Sequence, residues 1–116
     1  MAITSEIIGK LGGAKLESYP VSVPEFEPDT LLRAVTVPAG KRYLVAASGH
    51  SPKMSPSNNY KPALYIGDVK SQPVVKSGSF SVMAIVESSV EVRFDTNSSS
   101  GSSNATFEGM VYVLEL

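Results

Sequence analysis

The feature that most constrains this chain is an alternation of apolar and polar residues, with a period of two, in its last third. Val90, Val92 and Phe94 are apolar, and the residues between them are charged. Successive side chains of a β-strand point to opposite faces of a sheet, so this order predicts a strand with one buried and one solvated face. The preceding segment 80–86 is largely apolar on both faces, and a pair of serines between the two segments suits a tight connection.

Similar segments occur along most of the chain after residue 30. In residues 31–37, Leu31, Val35 and Val37 are predicted to share one side of a strand. A Pro-Ala-Gly-Lys turn follows, in which proline fixes φ and glycine accepts a positive φ. The other segments with strand-like patterns are residues 43–48, 63–66 and 106–116.

Short strands separated by turn residues every ~8–12 positions are typical of sandwiches and barrels. The chain has 116 residues, which fits one domain. The sequence therefore predicts an all-β, single-domain antiparallel β-sandwich or jelly-roll-like barrel over residues 14–116. Its first part, residues 14–29, contains three prolines and is expected at a sheet edge or across the surface.

Residues 1–13 differ from the rest and are interpreted as a short helical or extended N-terminal arm. Their apolar residues recur at near-helical spacing before a Gly-Gly pair that can end a helix. A helix this short needs a surface to pack on. The arm is expected either to cover one end of the β-core or to dock on a neighbouring subunit. The docking candidates are Ile3, Ile7, Ile8 and Leu11.

The C-terminal segment 106–116 is apolar on both prospective faces. Such a strand is expected in the centre of a sheet or in a subunit interface, because an exposed one would promote aggregation. Val111, Val113 and Leu116 are therefore candidates for core or subunit contact. This segment favours a homo-oligomer.

Composition narrows the function classes. The 10 basic and 11 acidic residues give a formal net charge of −1 without any basic block, so nucleic-acid binding is not expected. No apolar run approaches the ~20 residues of a membrane span, and no secretion signal is recognised, so the chain is expected to be made in the cytoplasm. Charged residues make up 18% of the chain, below the typical ~25%, which hints that other chains cover part of the surface.

Catalytic, metal and cofactor sites are not expected. The chain has no cysteine and one histidine, His50, which is interpreted as an exposed loop residue. A catalytic triad could combine His50 with Ser48 or Ser51 and with Asp68, but no nucleophile-elbow motif is present. The motifs that bind phosphates are absent too. A set of acidic residues is interpreted as solvated ions on one strand face beside Arg93, namely Glu87, Glu91 and Asp95.

Two polar loops offer an alternative function. Residues 49–62 and 97–104 are rich in Ser, Asn, Pro or Gly, and long loops in a compact domain are often functional. Asn58, Asn59 and Tyr60 could bind a glycan or a receptor. The absence of tryptophan, the usual platform for sugars, weighs against this alternative.

The segment 37–45, Val-Pro-Ala-Gly-Lys-Arg-Tyr-Leu-Val, resembles a turn found in small β-sandwich proteins of tailed-phage particles. Segments 65–68, 90–94 and 107–112 are similar to those proteins in arrangement, whereas the long 49–62 loop departs from the pattern. The resemblance implies a capsid decoration, head-fibre or tail-associated protein of the virion, commonly trimeric and without catalytic residues. Its partners would be a major capsid or tail protein.

Overall fold

The computed structural model describes residues 16–25, 29–53, 62–71, 79–96 and 105–116. The elements of this part of the chain are eight β-strands. They are β1 (Leu16–Val23), β2 (Asp29–Val35), β3 (Tyr43–His50), β4 (Ala63–Ile66), β5 (Val69–Lys70), β6 (Ser79–Val86), β7 (Val90–Asp95) and β8 (Phe107–Glu115). The predicted all-β fold is confirmed. The predicted arm, residues 1–13, lies outside the described residues.

The strands form two four-stranded antiparallel sheets. Sheet A has the order β1-β8-β3-β6, and sheet B has the order β2-β7-β4-β5. The first strand pairs with the last, the second with the seventh, the third with the sixth and the fourth with the fifth. This nested pairing is that of one long hairpin rolled into two layers, which is the eight-stranded jelly roll. It agrees with the sandwich or jelly-roll-like fold that the sequence predicts.

The connections sort into two ends of the sandwich. At one end, here called the turn end, lie the short connections 36–42 and 87–89, which cross between the sheets, and 67–68, which joins the paired strands β4 and β5. The N–H of Val37 donates to Ser89 Oγ at 3.0 Å and so ties two of these connections together. The other four connections leave and rejoin the sandwich at the opposite end, here called the loop end, beside His50, Ser79 and Asp95.

Alternate residues of both sheets point into one core between the layers. Three aromatic rings lie at its centre: Phe80 meets Phe94 edge-on at 5.5 Å between centroids, and Phe94 stacks on Phe107 at 5.0 Å. Aliphatic residues surround the rings, including Val45, Leu64, Ile66, Val92 and Val111. The alternation in residues 90–94 predicts one buried and one solvated side. The structure confirms this, because Val92 and Phe94 are buried and Glu91 is exposed.

The predicted bounds of the strand 63–66 and the turn after Val37 are confirmed, and two details are wrong. The turn after Val37 forms as predicted, with Lys41 N–H donating to the Pro38 carbonyl and Gly40 at φ 81°. Leu31 does not share the buried side of Val35, because a bulge between Leu31 and Arg33 shifts the register. His50 is exposed but ends strand β3, so it is not a loop residue.

Candidate interaction face

The outer side of sheet A carries three rows of side chains without any formal charge. Directly paired residues of adjacent antiparallel strands point to the same side of a sheet, so the register defines these rows. We call this surface the apolar face. Read from β6 across β3 and β8 to β1, its rows are Ile85, Leu44, Leu114 and Leu16; Met83, Ala46, Tyr112 and Ser18; and Ser81, Ser48, Met110 and Pro20.

Exposure confirms that these side chains point away from the core. Met83 is 62% exposed, Ile85 54% and Leu16 45%, although all three are large and apolar. The corresponding residues of the two central strands, such as Leu44 and Tyr112, are half-buried by their neighbours in the sheet. Large exposed apolar side chains are common singly on a protein surface, whereas a contiguous apolar patch of about 300–600 Å² is often a functional surface.

The outer side of sheet B differs in that it carries charged groups, although Leu31 is also exposed there beside Arg93. Arg93 lies at its centre and binds two carboxylates, Asp29 at 3.1 Å and Glu91 at 2.7 Å. The hydrogen bond to Asp29 is the main cause that raises the pKa of the Arg93 guanidinium above its usual value. Lys70 lies 5.8 Å from the ring of Tyr65 on the same sheet. This side is suited to water, as the sequence predicted for Glu91, Arg93 and Asp95.

Charged residues stand at the two ends of the apolar face. At the turn end, Arg42 and Glu87 form an exposed ion pair at 3.5 Å. The prediction that Glu87 shares the strand face of Glu91 is therefore wrong. Glu87 belongs to the connection after β6. At the loop end, His50 and Glu108 are exposed register partners on β3 and β8. The face is thus an apolar area bounded by solvated groups.

A shallow depression of about 600 Å³ lies where the apolar face meets the loop end. Pro20 and Met110 line it with apolar surface, and Ser48, His50 and Glu108 add polar groups. Beside it, Lys53 N–H donates to Thr106 Oγ1 at 3.0 Å, and Thr106 N–H donates to the Lys53 carbonyl at 2.9 Å. These bonds hold Lys53, near the beginning of the connection between β3 and β4, against Thr106, where the connection between β7 and β8 ends.

A second polar group lies at the seam between strands β1 and β2. The guanidinium of Arg33 lies 3.5 Å from the centroid of the Tyr19 ring, and Tyr19 donates a hydrogen bond to Glu17. Tyr43 donates to Glu115 at 3.4 Å. Desolvation, followed by the negative charge of Glu115, raises the pKa of the half-buried Tyr43 phenol above its usual value. The contact between Arg33 and Tyr19 joins the two sheets at the edge formed by β1 and β2, whereas the bond between Tyr43 and Glu115 joins the central strands β3 and β8.

The candidate residues for subunit contact divide between the core and the surface. Val111 and Val113 are buried in the core, which is one of the two roles, core or subunit contact, that the sequence predicts for them. Leu116 is 49% exposed and remains a candidate. The C-terminal strand lies between β1 and β3, in the central position that its two apolar faces predicted. The proposed docking residues Ile3, Ile7, Ile8 and Leu11, and the proposed ligand residues Asn58, Asn59 and Tyr60, lie outside the described residues.

The residues of the candidate triad do not meet. His50 lies at the loop end of sheet A, whereas Asp68 lies in the turn between β4 and β5 at the turn end of sheet B. Ser51 is buried and donates to the Lys53 carbonyl at 2.8 Å. Within the ranges described, no group of three acidic or histidine residues is placed to hold a metal ion.

The apolar face itself was only half visible in the sequence. The sequence predicts that segments 80–86 and 106–116 are apolar on two sides, but it does not predict that they belong to one sheet. The missing information is the order of the strands, because β8 and β6 are separated by β3. The sequence does not indicate that Leu44 and Ala46 lie on the outer surface. A single strand with two apolar sides does not reveal which side the second sheet covers.

Comparisons with known protein families, with curated proteins and with solved structures give no significant match for this chain. Across the residues that the structure describes, no helix has the length and apolar character needed to cross a lipid bilayer.

Proposed function

We propose that this chain is a structural component of a bacteriophage particle, of the capsid decoration or tail-associated type, and that it acts through protein–protein contacts. The observation that carries the proposal is the apolar face, three rows of uncharged side chains on the outer side of a four-stranded sheet. An outer sheet surface that met only water would be expected to be mostly polar, whereas this one carries no charge over three rows.

The size of the apolar face suits a contact that is repeated many times. Four strands about 4.8 Å apart and five residues of about 3.4 Å each give a projected area of roughly 330 Å². A standard protein interface covers about 800 Å² on each partner, so this face alone supports a weak contact. On a particle lattice, many copies and additional anchors raise the total strength without a large single interface.

Two further observations agree with this class of protein. The jelly roll occurs in viral capsid domains and in lectins, which is an analogy of fold and not a demonstration of function. The segment 37–45, on which the phage resemblance rests, forms the turn that joins the two sheets between β2 and β3. The homotrimer, the virion location and the capsid or tail partner remain predictions from that resemblance.

The proposal predicts that a charge in the middle of the apolar face prevents incorporation into particles. Ala46→Lys is expected to lower the occupancy of purified chain on particles that lack it to roughly a tenth or less. The reason is that an unpaired buried charge costs more than the about 1.4 kcal/mol of a tenfold change in affinity. Quantitative gel analysis of reconstituted particles measures the occupancy.

A matched control is available on the other sheet. Ala34 is exposed on the outer side of β2, opposite Glu91, and Ala34→Lys adds the same side chain there. This variant is expected to bind as the wild type does. Equal occupancy of the Ala46→Lys variant and the wild type would contradict the proposal. Deletion of residues 2–11 in the same assay tests the predicted docking arm, which unchanged occupancy would exclude.

A second candidate function is the recognition of a glycan or receptor at the loop end. The depression lined by Pro20, Ser48, His50, Glu108 and Met110 favours it, because it combines apolar surface with polar groups beside the departing connections. Binding of the wild-type chain to a glycan array, lost in both the Tyr60→Ala and the His50→Ala variants, would support this function. A chain that binds particles but no glycan would support the first proposal and exclude the second.

A further inference from the structure

The two sheets have four edge strands, and three of them are protected against pairing with another chain. Strand β1 contains Pro20, which lacks the N–H that a ladder needs, and β2 carries the bulge at Leu31 and Arg33. Strand β5 is two residues long. Proline, bulges, charges and short length are the means by which natural proteins prevent edge-to-edge association.

Strand β6 has none of these protections. Its eight residues, Ser-Phe-Ser-Val-Met-Ala-Ile-Val, include no proline, no glycine and no charge, and its register with β3 is unbroken. Among the described strands, β3 is its only hydrogen-bonded neighbour in the sheet. Within the described residues, one row of backbone N–H and C=O groups of this long, regular and apolar strand therefore has no partner strand. Such an edge is a template for a further strand.

We infer that a second copy of this chain pairs with this edge, β6 against β6, in an antiparallel arrangement about a two-fold axis near Val82 and Met83. The two copies then share one continuous eight-stranded sheet. Directly opposite residues lie on the same side of a sheet, so Met83 and Ile85 of both copies extend the apolar face across the junction. Phe80 and Val82 stay in the core of their own sandwich.

A second copy fits this edge better than an unrelated strand for two reasons. A strand without charge meets itself without like-charge repulsion and offers nothing that selects a charged partner. A two-fold contact also consumes the open edge of both chains, so the outer edges of the joined sheet are the two β1 strands with their prolines. An unrelated single strand would leave a new unprotected edge behind it.

This contact lies at the edge of the sheet and goes beyond the proposed function, which depends on the side of the sheet. A two-fold edge contact closes at two chains. The trimer implied by the phage resemblance would need a different contact. The mass of the free chain in solution therefore separates the two expectations.

Sedimentation velocity of the purified chain over a range of concentrations tests the inference. We expect the mass of two 12.3-kDa chains at micromolar concentration. Met83→Lys combined with Ile85→Lys places charges along the edge and is expected to raise the dissociation constant of the dimer on the order of 100-fold. Both side chains are exposed, so the fold is expected to persist, which circular dichroism checks.

Ser18→Lys is the matched control, because Ser18 lies in the same row as Met83 at the opposite edge of the same sheet. It is expected to leave the dimer intact. A wild-type chain that stays monomeric overturns the inference. A dimer or trimer whose dissociation constant is the same with and without the Met83→Lys and Ile85→Lys substitutions also overturns it. The same holds for a dimer that dissociates in the Ser18→Lys or Ala46→Lys variant but not in the β6 variant.

A cross-linking experiment gives an independent readout and uses the absence of natural cysteine. Directly opposite residues of an antiparallel pair have Cα atoms about 4.5–5.5 Å apart, within the range of a disulfide. We expect a covalent dimer under mild oxidation from the Met83→Cys variant, or from the variant with both Ser81→Cys and Met83→Cys. The Ser18→Cys control is expected to stay monomeric on a non-reducing gel. Failure of both β6 variants to cross-link contradicts the inference, whatever the particle assay gives.

Discussion

Replacing Gly109 by alanine is expected to lower the free energy of unfolding by about 3 kcal/mol, at the upper end of the range for overpacked cores. Gly109 pairs with Gly49 in the centre of sheet A, where β8 and β3 run side by side. A Cβ atom built on Gly109 would lie 2.8 Å from Gly49 Cα and 2.8 Å from Phe107 Cζ. It would lie still closer to the carbonyl oxygen of Ser48.

The reason for this crowding is the position of the Phe107 ring. Gly49 and Gly109 take the places of inward-facing side chains, and the ring of Phe107 lies across both of them. From there it stacks on Phe94 and meets Phe80 at 6.0 Å. A Cβ on Gly49 would also approach Phe107 Cζ, at 2.6 Å. The glycine pair therefore makes the room that the aromatic cluster of the core occupies.

Urea denaturation measures the effect, and two further variants separate its causes. Gly40→Ala has no atom within 4 Å of the new Cβ but a positive φ, so it is expected to cost about 1–2 kcal/mol through backbone strain alone. Phe107→Leu added to Gly109→Ala is expected to relieve only the part of the clash that involves the ring, because the Ser48 carbonyl is backbone. A Gly109→Ala protein as stable as the wild type would show that β3 and β8 are further apart than described.

The sequence was sufficient for the class of fold because alternation is a local property. Val92 and Phe94 are buried and Glu91 is exposed, as the period of two predicts. Pro38 and Gly40 also form the expected turn from local preferences alone. Such features depend on neighbours along the chain, which a single sequence displays completely.

Register and strand order depend on distant residues and could not be derived in this way. Leu31 was placed on the buried side because a strand without a bulge would put it there, and one extra residue reverses the assignment. The ion pair between Asp29 and Arg93 joins residues 64 positions apart. Gly109 makes room for the Phe107 ring together with Gly49, and the two glycines are 60 positions apart in the sequence.

The candidate site shows the same limit. Residues 80–86 and the C-terminal strand were both recognised as apolar on two sides, which requires that something cover each side. The core covers one side of both strands, as Phe80 and Val111 show. Met83 and Tyr112 remain on the other side, in the same row of the same sheet. The sequence therefore predicted the need for a contact, and the strand order places its parts together.

The outer surfaces of the two sheets contribute little to the stability of the single chain, and they differ in how well they suit contact with another protein. Sheet B holds Arg93 with Asp29 and Glu91 on a solvated side, where exposed ion pairs contribute little to stability. Sheet A presents uncharged side chains that add nothing to the core of the single chain. Variants of the apolar face are thus expected to alter association while the free energy of unfolding stays nearly constant, whereas variants between the sheets should alter stability first.

The largest loss of stability from a shortened side chain is expected for Phe94→Ala. Phe94 is fully buried on the central strand β7, and its ring contacts both other rings of the core, edge-on to Phe80 and stacked on Phe107. Removal of a buried phenylalanine ring costs about 3–5 kcal/mol through lost transfer energy and the remaining cavity. A domain with a total stability of about 5–15 kcal/mol loses much of it.

Thermal or urea unfolding followed by circular dichroism measures this loss. Two control variants test whether it comes from the cavity and from the burial of the ring. Phe94→Leu keeps most of the volume and is expected to cost clearly less, because the cavity is smaller. Tyr65→Ala truncates a half-exposed aromatic residue of the adjacent strand β4 and should also cost less than Phe94→Ala. If Phe94→Ala cost under about 1 kcal/mol, the three rings could not be the centre of a closely packed core. The register that places Phe94 opposite Leu64, and with it the position of sheet B over sheet A, would then be wrong.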